Sequence, residues 1–206
     1  MALFSAADKA RIEARIEQLE ARSAGEVVVA AVPRSDEYAT RRWLCAFSLV
    51  LASSAIIARF WLALSIDWLL LSEVPLALLF FRLSGWSPLT RWLVPKAERD
   101  AAVQARAARM FAERRVYATR DATGVLIMLS ELERRVVIVA DHGIDAHIQA
   151  IGWQTQVGKV TAAIRAGRAV EGVCGVLDEL DEVLANAFPQ RTDDENELSN
   201  RVVEER

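Results

Sequence analysis

The sequence predicts an α/β fold: a small sheet with helices enough for both of its faces, interrupted after its first strand by a transmembrane helical hairpin. Three observations carry this. Glu26-Val-Val-Val-Ala-Ala-Val32, Thr123-Gly-Val-Leu-Ile-Met-Leu-Ser130 and Arg135-Val-Val-Ile-Val-Ala140 are short, continuous apolar runs of the kind that buried strands show. Amphipathic helical patterns lie before, between and after them. Between the first run and the second, from Trp43 to Phe81, stand two apolar segments with few charges, flanked by arginines.

In chain order, Ser5 is placed to cap a helix whose apolar positions Ala10, Ile12, Ile16 and Leu19 recur at helical spacing, up to Ser23-Ala-Gly25. The strand opened by Glu26 follows and is ended by Pro33. Residues 1–40 thus form the first part of the α/β domain. Residues 41–95 form the membrane hairpin. Its first segment, counted from Trp43 to Leu64, reaches roughly 33 Å as a helix, enough for a hydrocarbon core of about 30 Å. Arg59 lies near the far end, where its long side chain can snorkel to the headgroups. The second segment, Trp68 to Phe81, is weaker because it holds Glu73 and Pro75. Trp43, Trp61, Trp68, Trp86 and Trp92, five of the six tryptophans, cluster here as interfacial anchors do. Ser87 to Pro95 reads as an interfacial elbow.

Residues 96–189 supply the rest of the domain. Lys96 to Tyr117 reads as one long helix with an apolar stripe through Val103, Met110 and Phe111. Only Glu131 to Arg134 separate the second strand from the third, too few residues for a crossover, so those two pair antiparallel. The first and second strands, joined through the long helix, are free to run parallel. Helices from about Thr155 to Ala166 and from about Val170 to Phe188 close the domain, and residues 190–206 form an acidic tail expected to be loosely ordered.

Composition narrows the function. With 25 basic and 28 acidic residues interspersed and a net charge of -3, no basic footprint for nucleic acid exists. Cys45 and Cys174 make no disulfide framework, as suits a reducing cytoplasm. Seven basic residues flank the hairpin (Arg34, Arg41, Arg42, Arg82, Arg91, Lys96, Arg99) against Arg59 alone near its connection. The positive-inside rule then places both termini in the cytoplasm, and no secretory signal opens the chain.

Chemistry is sparse. The sequence holds no glycine-rich phosphate loop, no Gly-x-Ser-x-Gly elbow and no His-Glu-x-x-His. His142 and His147 are poorly spaced for one metal. One constellation remains. Asp121 and Asp141 stand at similar distances either side of the strand turn, so the pleat returns both to one sheet end, where Glu26 opens the first strand and Asp145 lies a short loop away. Four carboxylates together suit a hard divalent cation, calcium or magnesium. Asp121 and Asp141 equally suit turn and helix caps, the commoner use of such residues.

Gly124-Val-Leu-Ile, Glu133-Arg-Arg-Val-Val-Ile138 and Asp141-His-Gly-Ile-Asp145, followed by Trp153, Gly167 and Gly172, resemble the TPM domain family. The likeness spans Glu26 to Val32 and about Lys96 to Phe188, and it is to the bacterial membrane-hairpin subgroup, in which Asn196-Glu-Leu198 lies near the end. The resemblance implies a sheet sandwiched by helices and, in some relatives, calcium binding and acid phosphatase activity at an acidic cluster. Gly143-Ile144-Asp145 matches a Gly-Leu-Glu of those relatives, but where soluble members carry a further Thr-Asp this chain has Ala146-His-Ile-Gln-Ala150. The expectation is a domain on the cytoplasmic side of the bacterial inner membrane, serving as an interaction or regulatory module for a membrane-protein partner. The alternative is a divalent-metal-dependent acid phosphatase.

Overall fold

The computed structural model describes residues 3–60, 66–144, 158, 160–164, 166–190 and 197–205. The chain divides into two compact units, Met1–Ser35 with Asp100–Arg206, and Asp36–Arg99.

The first unit is a mixed α/β domain built on a four-stranded sheet of order β3-β2-β1-β4. Helix α1 (Ala6–Glu20) begins where Ser5 and Asp8 exchange side-chain and backbone hydrogen bonds, a capping box that satisfies two otherwise orphaned donors. Strand β1 (Glu26–Val32) pairs in parallel with β2 (Gly124–Ser130) along its whole length, from Glu26 opposite Gly124 to Val32 opposite Ser130. Strand β3 (Arg135–Ala140) returns antiparallel to β2. All three strands stand where the apolar runs put them, and both pairings are as the connection lengths require.

Side chains alternate across this sheet and build a core on each face. Val27, Val29, Ala31, Val125, Ile127 and Leu129 pack with Ile12, Ile16 and Leu19 of α1 and with α6 (Ala169–Ala187). Val28, Ala30, Val32, Leu126 and Met128 pack on the other face with Val103, Ala107 and Met110 of α5 (Lys96–Glu113). Burying a Val, Leu or Ile side chain fully is worth about 1.5–3 kcal/mol, so these two layers supply most of what holds the unit together. Every residue of β1 and β2 is buried.

Two expectations change. The helix from Lys96 stops at Glu113 rather than Tyr117, because Arg115 takes the left-handed conformation at φ 53°, and a short 3-10 turn, Val116–Ala118, follows. The acidic tail is not loose over Glu197–Glu205: Val203–Glu204 forms β4, parallel to β1, with Val203 opposite Ala30 and Glu204 opposite Ala31. Within the expected helix starting near Thr155, residues 160–164 are helical. Its beginning, Ala146–Ala150 with His147, Trp153 and Asn196 lie outside the described residues.

The second unit is helical: α2 (Ala39–Phe60), α3 (Ile66–Ser84) and α4 (Ser87–Leu93), the last occupying the expected elbow. Trp43 stacks on Phe81 at 4.2 Å, and Ser54 donates to Glu73 at 3.2 Å, so α2 and α3 lie antiparallel. The turn expected at Ser65–Asp67 is shifted: Ile66 and Asp67 already belong to α3, and Ser65 lies outside the described residues. Arg42 sits with its guanidinium 4.2 Å over the Phe81 ring and donates to the Phe81 carbonyl, bracing α2 against the end of α3. Among the described residues only α2, over Ala39–Arg59, is long and apolar enough to cross a membrane.

Candidate functional site

The amino ends of β1 and β2 gather the carboxylates. Glu26 lies opposite Gly124, and the Asp141 N–H donates to the Gly124 carbonyl at 2.9 Å, so Glu26, Gly124 and Asp141 form one row across three strands. With strands about 4.8 Å apart, the backbones of Glu26 and Asp141 stand roughly 10 Å apart. Asp121 joins them through Gly143: a Cβ there would lie 2.8 Å from the Asp121 carbonyl and 2.6 Å from that of Ala122, so only glycine lets the two turns touch. The register therefore brings Glu26, Asp121 and Asp141 to one sheet end. Asp145 lies outside the described residues.

The side chains there have other partners. Both oxygens of the Glu26 carboxylate accept main-chain N–H groups, from Glu197 and from Leu198, each at 3.2 Å. Asp141 accepts from the His142 N–H at 2.7 Å and meets His142 Nδ1 at 2.8 Å, while its own carbonyl receives Ile144 N–H. The Asp141 carboxylate is thus engaged with its own neighbour at the start of the helical turn that follows. Among the described residues no three His, Cys, Asp or Glu side chains converge enough to hold a metal ion.

A further carboxylate, unremarked in the sequence, belongs to this end. Glu20, the last residue of α1, accepts the Val27 N–H at 3.2 Å through Oε1 and is also hydrogen-bonded by the Asn200 side chain. Burial, and then the negative charge of Glu26, push its carboxyl up to about 8. Glu20 therefore holds a proton at neutral pH, which lets the two carboxyls stand side by side.

The opposite, carboxyl end of the sheet carries what sequence reasoning missed. From β1 the chain passes to β2 on one side, and after α6 it returns to β4 on the other, so the topology switches direction between β1 and β4. Crevices at such points, beyond the carboxyl ends of parallel strands, are where open α/β sheets take ligands. A pocket of about 750 Å3 lies there, with Leu3, Phe4, Lys9, Val32, Glu131 and Glu204 in its wall. Lys9 Nζ is 2.5 Å from the Glu204 carboxylate and holds it below the usual carboxylate range.

Beside the pocket, Glu133 is buried and receives the Ser35 N–H at 3.1 Å and the Ser130 hydroxyl, while the Ser35 hydroxyl donates to Ser130 Oγ at 2.9 Å. The Glu133-Arg-Arg motif thus has structural work. Glu133 fastens the chain as it leaves β1, Arg134 turns the strand connection at φ 51°, and Arg135 binds Asp100 at 2.8 Å.

The fold and its two sheet ends define a mixed α/β domain of open-sheet type. Across 98% of this chain and 95% of its own, the NMR structure of BA42 protein from the psychrophilic bacterium Bizionia argentinensis is similar in fold, with a TM-score of 0.61 at 17% identity. No family model matches the sequence, and no curated protein matches it.

Proposed function

We propose that this chain is a membrane-anchored, TPM-like α/β domain, with α2 and α3 as a transmembrane hairpin inserted between β1 and β2. It serves as an interaction or regulatory module for membrane proteins on the cytoplasmic side of the bacterial inner membrane. The observation that carries the anchorage is the distribution of exposed apolar side chains. Among the described residues, every large hydrophobic side chain that stands exposed, except Tyr117, belongs to the unit Asp36–Arg99. Leu51 is 71% exposed, Leu71 65% and Val74 67% on the long helices, and Trp86, just before α4, and Trp92, within it, are 70% and 81% exposed. A hydrocarbon surround satisfies such side chains, and tryptophans favour its interface.

The module reading rests on the pocket at the topological switch and on the motif chemistry being used for structure. The phosphatase alternative finds no cation cage among the described carboxylates. Reporter fusions at Leu3 and at Arg206 in a membrane-integrated chain should both give cytoplasmic signals; an external signal from either would reverse the topology, and release of the chain by alkaline carbonate would remove the anchorage.

A further inference from the structure

We propose that the edge of β1 that faces β4 is a docking site for an extended segment of a partner protein, one with two adjacent apolar residues followed by two carboxylates, and that Glu197–Glu205 is the resident occupant such a segment displaces. This deepens the interaction-module reading and is independent of the membrane anchorage.

The two edges of β1 differ in how they are closed. On one, β2 pairs with all seven residues; on the other, β4 pairs with Ala30 and Ala31 only. The rest of that edge is closed by side chains. Glu20 takes the Val27 N–H, Glu26 takes the N–H groups of Glu197 and Leu198, and Glu13 takes that of Val202 at 2.9 Å. Glu26 and Glu13 read the backbone of the segment rather than its sequence, so any extended chain could meet them. That is the mode in which a peptide adds to a sheet edge: main-chain bonds give affinity, and pockets for alternate side chains give specificity.

The specific part lies at the far end. Val202 enters the core on one face of the sheet, and Val203 packs against the core on the other. Glu204 is received by the N–H groups of Leu3 and Phe4, at 2.8 and 3.4 Å, and by Lys9, and Glu205 by Arg106. An occupant with two backbone pairings on a seven-residue strand leaves room for a competitor that makes more.

The probe is a fluorescein-labelled peptide of the chain's own sequence Glu-Leu-Ser-Asn-Arg-Val-Val-Glu-Glu, with a control in which both terminal Glu are Lys. The full chain is held in detergent micelles. Because the resident segment competes at an effective concentration in the millimolar range, wild type should bind the probe at least about tenfold more weakly than Val203→Pro, whose tail cannot make the pairing. The lysine control should not bind, and adding Lys9→Glu to the proline variant should abolish binding of the acidic probe. Equal binding by wild type and Val203→Pro, or equal binding of the two probes, would overturn the proposal. Since Pro can also unfold the chain, hydrogen exchange on wild type stands beside it. The Glu205 amide, bonded to Ala31 O at 3.1 Å, should exchange at least about a hundredfold faster than amides in β2. Exchange as slow as that of β2 would show a permanent strand and equally refute displacement.

Discussion

Strand β1 and helix α2 stand a few residues apart in the chain and draw on the same apolar alphabet, yet they end in opposite surroundings. In β1, Val29 and Ala30 have no exposed surface, whereas Leu51 and Ile56 of α2 are 71% and 59% exposed. Six apolar residues in a seven-residue strand fit beneath two layers of helices. Twenty-two residues as a helix reach roughly 33 Å, the span of a hydrocarbon core, which on our proposal is what covers their apolar surface. Hydropathy measures how much apolar surface a segment has; length and period decide what can cover it.

The largest effect should come from Gly124. A Cβ there would lie 1.9 Å from the Val116 carbonyl, a backbone atom with no slack, so Gly124→Ala should cost about 3 kcal/mol or more and melt the α/β unit. Near-ultraviolet dichroism would lose its folded signal while helicity from α2 and α3 persists in micelles. An unchanged melting temperature would mean the turn and β2 do not meet in this way.

A matched pair of leucine truncations sharpens the contrast. Leu129→Ala, fully buried, should destabilise by about 2–4 kcal/mol. Leu51→Ala in detergent should change stability by less than about 0.5 kcal/mol. Denaturant melts of the two variants that gave similar losses would erase the distinction between self-covered and solvent-covered surface.

A further effect is a dependence on pH. The Glu20 carboxyl has an ordinary value of 4.5 and is pushed up to about 8 by burial and by Glu26. In the window between those values the folded chain keeps a proton that the unfolded chain releases. Its contribution is therefore fully present below the unfolded value and is lost as pH rises through the folded one. Glu20→Gln retains an acceptor for Val27 and removes the titration, so the fall in melting temperature between about pH 5 and about pH 9 should shrink. A fall of unchanged size would place its origin elsewhere.

The pattern of what was legible follows the same physics. Strands β1 to β3 declare themselves because burial on both faces demands unbroken β-branched runs, and their pairings follow from connection length. The gathering of Glu26, Asp121 and Asp141 was legible for the same reason, since register fixes which residues share a sheet end. What those carboxylates bind was not, because the donors on Glu26 come from Glu197 and Leu198, far along the chain. Strand β4 left no signal: Val202 and Val203 stand among charges, and it is the edge of β1 that makes them a strand. Glu20 looks in sequence like one more charge on a solvated helix face, and only the strand beside it buries it. Glu133 misleads similarly, reading as an ordinary turn acid while it closes a buried network with Ser35 and Ser130.

The insertion of α2 to α5 between β1 and β2 also sets an order in time. At synthesis rates of about 5–20 residues per second, β1 emerges several seconds before the strand that completes it, and both long helices of the second unit are made meanwhile. For that interval Glu26–Val32 is an unpaired, β-branched segment of low charge, the kind that associates with its like. The nascent chain therefore needs either a chaperone over β1 or prompt delivery to its destination. Slowing translation just after Ser35 should lower the yield of folded protein more than slowing it after Ser130.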